Sequence, residues 1–353
     1  MIQEAISSLV EGRDLSPSEV REALDEIVSG RASPTQISGL LVALRGKGET
    51  PHEIAAFASA FRSYGVKIQP SVRGRLVDTC GTGGDRARTF NVSTVSAIVA
   101  AGAGVSVAKH GNRSVTSKCG SADLLERLGF NLEMDPARVK SSIEEVGIGF
   151  MFAPAFHPAM KHVGPVRREL GIRTIFNLMG PLMNPAGADA QVIGVYSQPL
   201  TTKVAGALQA LGTREAMVIH AADEGMDEIS ITGRTTIAWL TDAGVTVRDY
   251  APRDFGIGPH GGAPITIDSI EEGAAAALEV LDGSRGAPSS RREMVLVNAA
   301  AAIIVSGSAR DFAEALPLAR ASIESGAAYR KLEGLIRFSG GDLSRLENHA
   351  SGK

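Results

Sequence analysis

The sequence predicts an α/β protein: a small N-terminal α-helical domain beside a larger α/β domain with a central, mostly parallel sheet flanked by helices. Three observations carry this. One helix-start signature occurs three times in the first 65 residues, short β-rich runs alternating with helical ones begin near Arg73, and turns rich in glycine and hydroxyl groups follow several of those runs. The chain has 353 residues, and single cores stop growing at about 250 to 300, so two domains are expected. The boundaries read as 1–70 for the helical domain, 71–335 for the α/β domain and 336–353 for a flexible tail.

The repeated signature is Ser16-Pro17-Ser18-Glu19, Ser33-Pro34-Thr35-Gln36 and Thr50-Pro51-His52-Glu53. Each places a hydroxyl at the N-cap, proline at the first helical position and Glu or Gln three residues after the cap, and the helices are expected to stop near Gly30, Gly46 and Gly65. With an amphipathic segment over 2–10 this makes four short helices, too few to bury every apolar face alone. Leu40, Leu41, Ala55 and Phe57 are therefore expected to pack on another domain or subunit. Next come β-rich runs at 76–79, 105–108, 148–152, 192–196 and 217–220, separated by helical segments rich in Ala, Leu and Glu. A proline-rich, basic helical insert around 158–180 interrupts this rhythm and is expected to return to the helical domain. Beyond Lys331 the amphipathic order fades.

Composition excludes several classes of function. Apolar residues make up 44% and charged residues 21%, ordinary values for a globular protein. The net charge is −3, and no basic run tracks a phosphate backbone, which argues against nucleic acid as a partner. The two cysteines, Cys80 and Cys119, lie in no metal-ligand spacing. The N-terminus has no basic start followed by an apolar run, and no apolar stretch reaches 18 residues, so no membrane is implied and the reading is cytoplasmic.

Four constellations bear on chemistry. The stretch 81–94, GTGGDRARTFNVST, packs three glycines, one carboxylate and four hydroxyls between a strand and a helix expected to begin near Ser93 or Thr94. Bare backbone amides followed by a helix N-terminus suit a phosphate. It is neither a P-loop nor a dinucleotide fingerprint, and GIGPHG at 256–261, which formally matches the latter, carries a proline in a turn-rich region. Glycine-rich turns of this kind are also often merely tight. A second strand delivers Lys109-His110-Gly111-Asn112-Arg113 and then 117–125, SKCGSADLL, with two lysines and a Ser-capped helix start, another anion cradle. Two cradles suit a substrate with two phosphate groups, although Lys109 and Lys118 also read as solvated charges. Third, Asp223-Glu224-Gly225-Met226-Asp227-Glu228 follows a strand, and adjacent carboxylates on a loop suit Mg²⁺ shared with substrate phosphates. Fourth, Arg167-Arg168-Glu169 lies in a helix that also holds His162 and ends at Gly171; an arginine fork suits a carboxylate, while helix-surface arginines are common.

Taken together, GTGGD (81–85), FNVST (90–94), KHGNRSVTSKCGSADLLERLG (109–129), VRRELGIRTIFNLMGPLMNP (166–185) and GMDEIS (225–230) resemble the anthranilate phosphoribosyltransferases of tryptophan synthesis, in order along nearly the whole chain. The resemblance implies the fold shared with pyrimidine nucleoside phosphorylases and a homodimer joined through helical domains. It implies that Gly81, Thr82, Gly83, Gly84, Asp85, Thr89, Asn91, Ser93 and Thr94 surround phosphoribosyl pyrophosphate (PRPP), with Lys109, Ser117, Lys118, Cys119, Gly120 and Ser121 completing the phosphate contacts. Ser93, Asp227 and Glu228 would hold two Mg²⁺ ions. Gly81, His110, Asn112, Arg167 and Pro181 would receive anthranilate, Arg167 near its carboxylate. Arg86 stands where that pattern usually has glycine, and Cys119 where serine is more usual.

The implied reaction is attack of the anthranilate amine on C1 of the ribose as pyrophosphate leaves. The arylammonium formed is acidic enough to lose its proton to water, so no general base is expected. The competing readings are a pyrimidine nucleoside phosphorylase and a non-catalytic relative that binds nucleic acid.

Overall fold

The computed structural model describes residues 1–83, 89–114, 118–258, 265–283 and 290–350. The chain opens with α1 (Ile2–Val10), α2 (Pro17–Val28), α3 (Pro34–Lys47) and α4 (Pro51–Tyr64). All three expected N-termini are reciprocal capping boxes. Ser16, Ser33 and Thr50 each accept from the backbone N–H of the third helical residue, whose side chain accepts from the cap's N–H in return. The end of α3 differs from expectation: the helix runs through Gly46 and stops at Gly48, which adopts φ +88°. Lys47, the one residue added, is held in place. Its ammonium reaches Asp14 at 2.6 Å and the fully buried Glu53 at 2.8 Å, and Glu53 in turn caps α4.

The larger unit contains β1 (Leu76–Gly81), α5 (Val92–Gly102), β2 (Ser106–Gly111), α6 (Ser121–Arg127), α7 (Pro136–Val146) and β3 (Ile148–Phe152). An insert follows, made of α8 (Ala153–Phe156), a 3-10 turn (Pro158–His162), α9 (Gly164–Leu170) and α10 (Phe176–Leu182). The chain returns with β4 (Ala190–Gly194), α11 (Pro199–Ala210), β5 (Glu215–Ala221), β6 (Thr235–Thr241) and β7 (Gly244–Tyr250), then a 3-10 turn (Pro252–Phe255) and α12 (Ile270–Leu281), α13 (Ser290–Val305), α14 (Phe312–Glu324), α15 (Ala327–Ser339) and α16 (Leu343–Ala350). The seven strands form one sheet in the order β3-β2-β1-β4-β5-β6-β7. The first five are parallel, and β6 and β7 are antiparallel. That hairpin was not anticipated, although TTIAWLT and GVTVRDY around Asp242-Ala243 carry β-rich residues on either side of a turn.

Each face of the sheet has its own core. Val77, Val192, Met217 and Ile219 point to one side and pack with α5 and α13, whereas Cys80, Ile193, Ala216 and Val218 join a second core shared with the N-terminal helices, α10 and α11. The alternation of side chains along a strand divides neighbours this way. Leu40, Leu41, Ala55 and Phe57 are all buried in the second core, so this chain's own α/β unit and insert supply the missing cover. The insert packs on α2, α3 and α4.

Two expectations are corrected. The flexible tail expected over 336–353 is helical as far as it is described: α15 continues to Ser339 and α16 follows to Ala350, with Ile336 and Leu346 buried in the first core, while 351–353 lie outside the described residues. A single inward stripe anchors these helices, so the apolar residues there are sparse. His162 was placed in one helix with Arg167, but it ends the preceding 3-10 turn, because Pro158 and Pro165 each start a separate element.

Candidate active site

β1 and β4 are neighbours whose following connections lead to opposite sides of the sheet, which makes their carboxyl ends a topological switch point, where open α/β sheets receive ligands. Gly81 and Gly194, the last residues of the two strands, face each other there. The acidic loop above them requires glycine at 194, where the loop backbone approaches, and crowds 81 through a side chain. A Cβ on Gly194 would lie 1.7 Å from the Asp227 carbonyl oxygen, and one on Gly81 would lie 2.4 Å from Asp227 Oδ2.

The acidic run divides by role. Asp223 accepts from the backbone N–H of Arg234 at 2.8 Å and pairs with its guanidinium, while Glu224 accepts from the hydroxyls of Ser230 and Thr232 at 2.8 and 2.6 Å. These two shape the loop. Asp227 and Glu228 turn to the switch point, where Asp227 Oδ2 accepts from Gly83 N at 3.2 Å and Glu228 Oε1 accepts from Ser93 N at 3.1 Å. The structure thus brings Gly81, Gly83 and Ser93 together with Asp227 and Glu228, a pair far away in sequence. Thr82 is tied beside them, its N–H donating to Gly194 O and its hydroxyl accepting from Tyr196 N.

α5 begins at Val92, and its N-cap Asn91 makes no side-chain cap bond. Instead Asn91 Nδ2 donates to the Cys119 carbonyl at 3.0 Å, joining the two cradles. Asn91 Oδ1 and the buried Thr94 Oγ1 have no hydrogen-bond partner among the described residues. Buried polar atoms normally find partners, so these two are acceptor and donor capacity that a polar ligand can fill. Thr89 forms an isolated bridge with Thr266. Gly84, Asp85 and Ser117, together with Arg86, lie outside the described residues, as does the second half of 256–261.

The second cradle differs from its sequence reading. The helix start is not Ser-capped: Gly120 is the N-cap of α6, and Asp123 Oδ2 accepts from Gly120 N at 3.0 Å and Ser114 N at 2.9 Å. Ser121 Oγ turns back to the Asn112 carbonyl at 3.3 Å. Lys118 and Asn112 are exposed, and the Asn112 side chain accepts from Arg113 N. The Cys119 thiol is pushed up to about 12 by burial and is inert as a nucleophile. Lys109 is not a solvated charge. It is 3% exposed, and its ammonium donates to the Thr79 carbonyl at 2.6 Å in the floor under the site. Burial lowers its pKa, while the charges of Asp78 and Glu228 oppose that shift.

Beneath the switch point the sequence reading missed a buried polar network. Asp78 accepts from His110 N at 3.2 Å and from Asn184 Nδ2 at 2.8 Å, and Asn184 also donates to the Ala108 carbonyl. An aspartate inside the apolar run RLVDTC was the available signal, because acidic residues are rarely fully buried without partners. His110 is enclosed as well. Its Nδ1 lies 3.1 Å from the Gly180 carbonyl and its Nε2 lies 3.2 Å from His157 Nε2. The carbonyl can only accept, so His110 carries its proton on Nδ1 and His157 donates from Nε2. Burial holds His110 down to about 3 and His157 down to about 4. His157, in the insert immediately before Pro158, was also missed.

The insert supplies a separate cationic corner. Arg167 is half-buried, its pKa is lowered by that burial, and its guanidinium lies 5.8 Å from the Phe176 ring centroid. It has no carboxylate partner among the described residues. Phe176 opens α10, whose other end carries Gly180, exposed with open space where a side chain would be, and the buried Pro181. A half-buried arginine at one end of α10 and an enclosed imidazole at the other have the chemistry to receive a flat, carboxylated molecule.

All donors at the acidic loop are hard oxygens: two adjacent carboxylates and the Ser93 hydroxyl. Among the described residues there is no cluster of three or more His, Cys, Asp or Glu able to enclose a metal alone. That donor set fits Mg²⁺, which keeps waters and shares substrate phosphates rather than sitting in an all-protein cage.

Fold and site together define a glycosyltransferase with a helical bundle beside an α/β domain. Residues 73–329 match the glycosyl transferase family a/b domain, and residues 3–65 match the glycosyl transferase family helical bundle domain. The anthranilate phosphoribosyltransferase of Methanocorpusculum labreanum is 50% identical over 97% of this chain and 99% of its own length. The crystal structure of that enzyme from Thermus thermophilus superposes with a TM-score of 0.88 at 42% identity, covering 95% of this chain and 99% of that one. The Saccharomyces cerevisiae enzyme in complex with PRPP and Mg superposes with a TM-score of 0.87 at 30% identity, covering 96% and 98%. The chain belongs to the anthranilate phosphoribosyltransferase family.

Proposed function

We propose that this chain transfers the phosphoribosyl group of PRPP to the amine of anthranilate, forming N-(5-phosphoribosyl)anthranilate and pyrophosphate in tryptophan synthesis. The observation that carries the reading is the pinning of Asp227 and Glu228 against Gly83 and Ser93 at the switch point, with Arg167, lacking a carboxylate partner among the described residues, in the adjoining insert. The turn after Gly81 and the start of α5 flank the phosphates, with the polar atoms of Asn91 and Thr94 that lack partners among the described residues available to them. Ser93, Asp227 and Glu228 hold two Mg²⁺ ions. When bound, these ions neutralise charge developing on the departing diphosphate. Arg167 takes the anthranilate carboxylate, and Gly180 and Pro181 leave a flat surface for the ring. His110 stays neutral and, with both ring nitrogens engaged, forms a wall of this seat.

The C1–N bond forms with inversion as the bond from C1 to the pyrophosphate oxygen breaks, through an oxocarbenium-like transition state. Positioning two substrates and stabilising the leaving group supply the rate enhancement, and the product proton passes to water. Val10 and Val42, large exposed apolar side chains on the helical bundle, support assembly as a homodimer through that domain, a state that light scattering reads directly. Among the described residues no helix is long and apolar enough to cross a membrane, and a biosynthetic enzyme with water-soluble substrates fits the cytoplasm.

Loss of anthranilate fluorescence on mixing with PRPP and Mg²⁺ tests the activity. Asp227→Asn combined with Glu228→Gln is expected to lower turnover by orders of magnitude at fixed Mg²⁺, and near-normal rates would remove these residues from the cation site. A flat trace in the unaltered enzyme, with phosphate-dependent thymidine cleavage in parallel, would decide for a nucleoside phosphorylase.

A further inference from the structure

We propose that Asn298 is a positioning residue that sets the register of the acidic loop against α5, and so preorganises the divalent-cation site. This inference rests on the assignment of Asp227 and Glu228 to that site. Asn298 lies in the middle of α13, a helix whose residues from Met294 to Val305 are buried, in the run EMVLVNAAAAIIV. A polar side chain in such surroundings costs stability unless it is fully bonded. Asn298 is bonded in a specific way: its Oδ1 accepts from Ile229 N at 2.9 Å, and its Nδ2 donates to the Ile229 carbonyl at 3.2 Å and to the Met294 carbonyl at 2.8 Å. One side chain thus holds both backbone groups of the residue that follows Glu228.

The same helix holds the other side of the site. One turn before Asn298, the Val295 carbonyl accepts from Ser96 Oγ at 3.2 Å, and Ser96 lies one turn after Ser93 on α5. The triangle closes where Ser93 N meets Glu228 Oε1. Helix α13 is therefore a rigid ruler with two marks one turn apart, one for the acidic loop and one for α5. The chemistry at position 298 is narrow. Alanine strands the buried N–H and C=O of Ile229. Aspartate cannot donate to the carbonyl and adds a negative charge beside Asp227 and Glu228. A short side chain carrying both a donor and an acceptor is needed.

Loss of groups that orient metal ligands typically weakens affinity by about 10- to 100-fold. In Asn298→Ala, the Mg²⁺ concentration for half-maximal rate is expected to rise by about tenfold or more, with kcat recovering at high Mg²⁺ or with the more tightly bound Mn²⁺ and the KM for anthranilate unchanged. Independently of turnover, the metal-free variant should exchange amide hydrogens faster over 226–230, and calorimetry should show weaker PRPP binding at fixed Mg²⁺. A folded Asn298→Ala with wild-type Mg²⁺ dependence and wild-type exchange overturns the proposal, as does a loss of kcat that neither Mg²⁺ nor Mn²⁺ restores. Should Asn298→Ala not fold, Ser96→Ala decides: it removes only the second tether, and a few-fold rise in the Mg²⁺ requirement supports the ruler while an unchanged one overturns it. Wild-type Mg²⁺ dependence in Asp227→Asn with Glu228→Gln would instead overturn the cation site itself, so the two failures are distinguishable.

Discussion

Replacing Gly194 by alanine adds one methyl group and leaves every side chain of the site in place. The new Cβ would sit 1.7 Å from the Asp227 carbonyl oxygen, 2.6 Å from its carbonyl carbon and 2.9 Å from its Cβ. Packed interiors do not absorb such overlap, so one of the two segments must shift by roughly 1 Å or more. Gly194 is paired to Gly81 on one side and to Ile219 on the other, which fixes β4 in the centre of the sheet. The acidic loop is held by the Ala221–Met226 bridge and by side-chain tethers at Asp227, Glu228 and Ile229, whereas β4 is fixed by backbone ladders on both sides, so the loop yields first. Overpacking of this kind costs about 1–3 kcal/mol of stability, which a protein of this size tolerates. A misplacement of about 1 Å in a positioning group costs about 100-fold in rate, so the effect on turnover dominates. Gly194 does not need a left-handed backbone, so the cost is steric alone. The fluorescence assay across a Mg²⁺ titration should show turnover falling by about two orders of magnitude with the protein still folded. Gly46→Ala, where nothing lies within 4 Å of the added carbon, serves as the silent control. A folded Gly194→Ala with wild-type turnover and Mg²⁺ dependence would refute the reasoning.

Three further outcomes are expected. Arg167→Met should raise the KM for anthranilate by about 10- to 100-fold, the loss of one hydrogen bond to a charged group, with the KM for PRPP little changed; equal effects on both substrates would place Arg167 elsewhere. Lys109→Met should destabilise the fold by about 1–3 kcal/mol in urea titrations, because the buried Thr79 carbonyl loses its charged donor and Asp78, whose pKa burial already raises, loses an opposing charge; an unchanged midpoint would show that the buried ammonium contributes nothing to the floor of the site. His110 and His157 titrate near 3 and 4 in the folded chain, against 6.5 ordinarily. The unfolded chain therefore binds more protons between these values, so their contribution is full above about pH 6.5 and is lost as pH falls towards 4. Denaturation midpoints should fall from pH 7.5 to pH 5, less steeply in His157→Gln, while a pH-independent midpoint would contradict the buried neutral pair.

What the sequence disclosed follows from how local each signal is. The three capping boxes were legible because four consecutive residues specify them, and the five parallel strands because each is a bounded apolar run. The 81–94 turn and the acid pair were visible as residue types suited to phosphate and Mg²⁺. Their meeting at Gly194 was not, because a glycine needed for close approach of a loop more than thirty residues away leaves no local pattern. Likewise, Asp78, Asn184, His157 and Asn298 act through partners distant in the chain, and each looks like an isolated polar residue until the sheet and α13 are assembled. Lys109 was read as one of two cationic cradle residues, yet only the folded chain shows its ammonium turned under the site. The final helices were read as a tail because two short helices resting on a core already built need few apolar residues of their own.

A crystal soaked in PRPP and Mg²⁺ tests the central claim most directly. The account predicts a diphosphate at the switch point, between the turn after Gly81 and the start of α5, with cation density against Ser93, Asp227 and Glu228. An empty switch point, or a sugar phosphate bound with those carboxylates turned away from it, would contradict it.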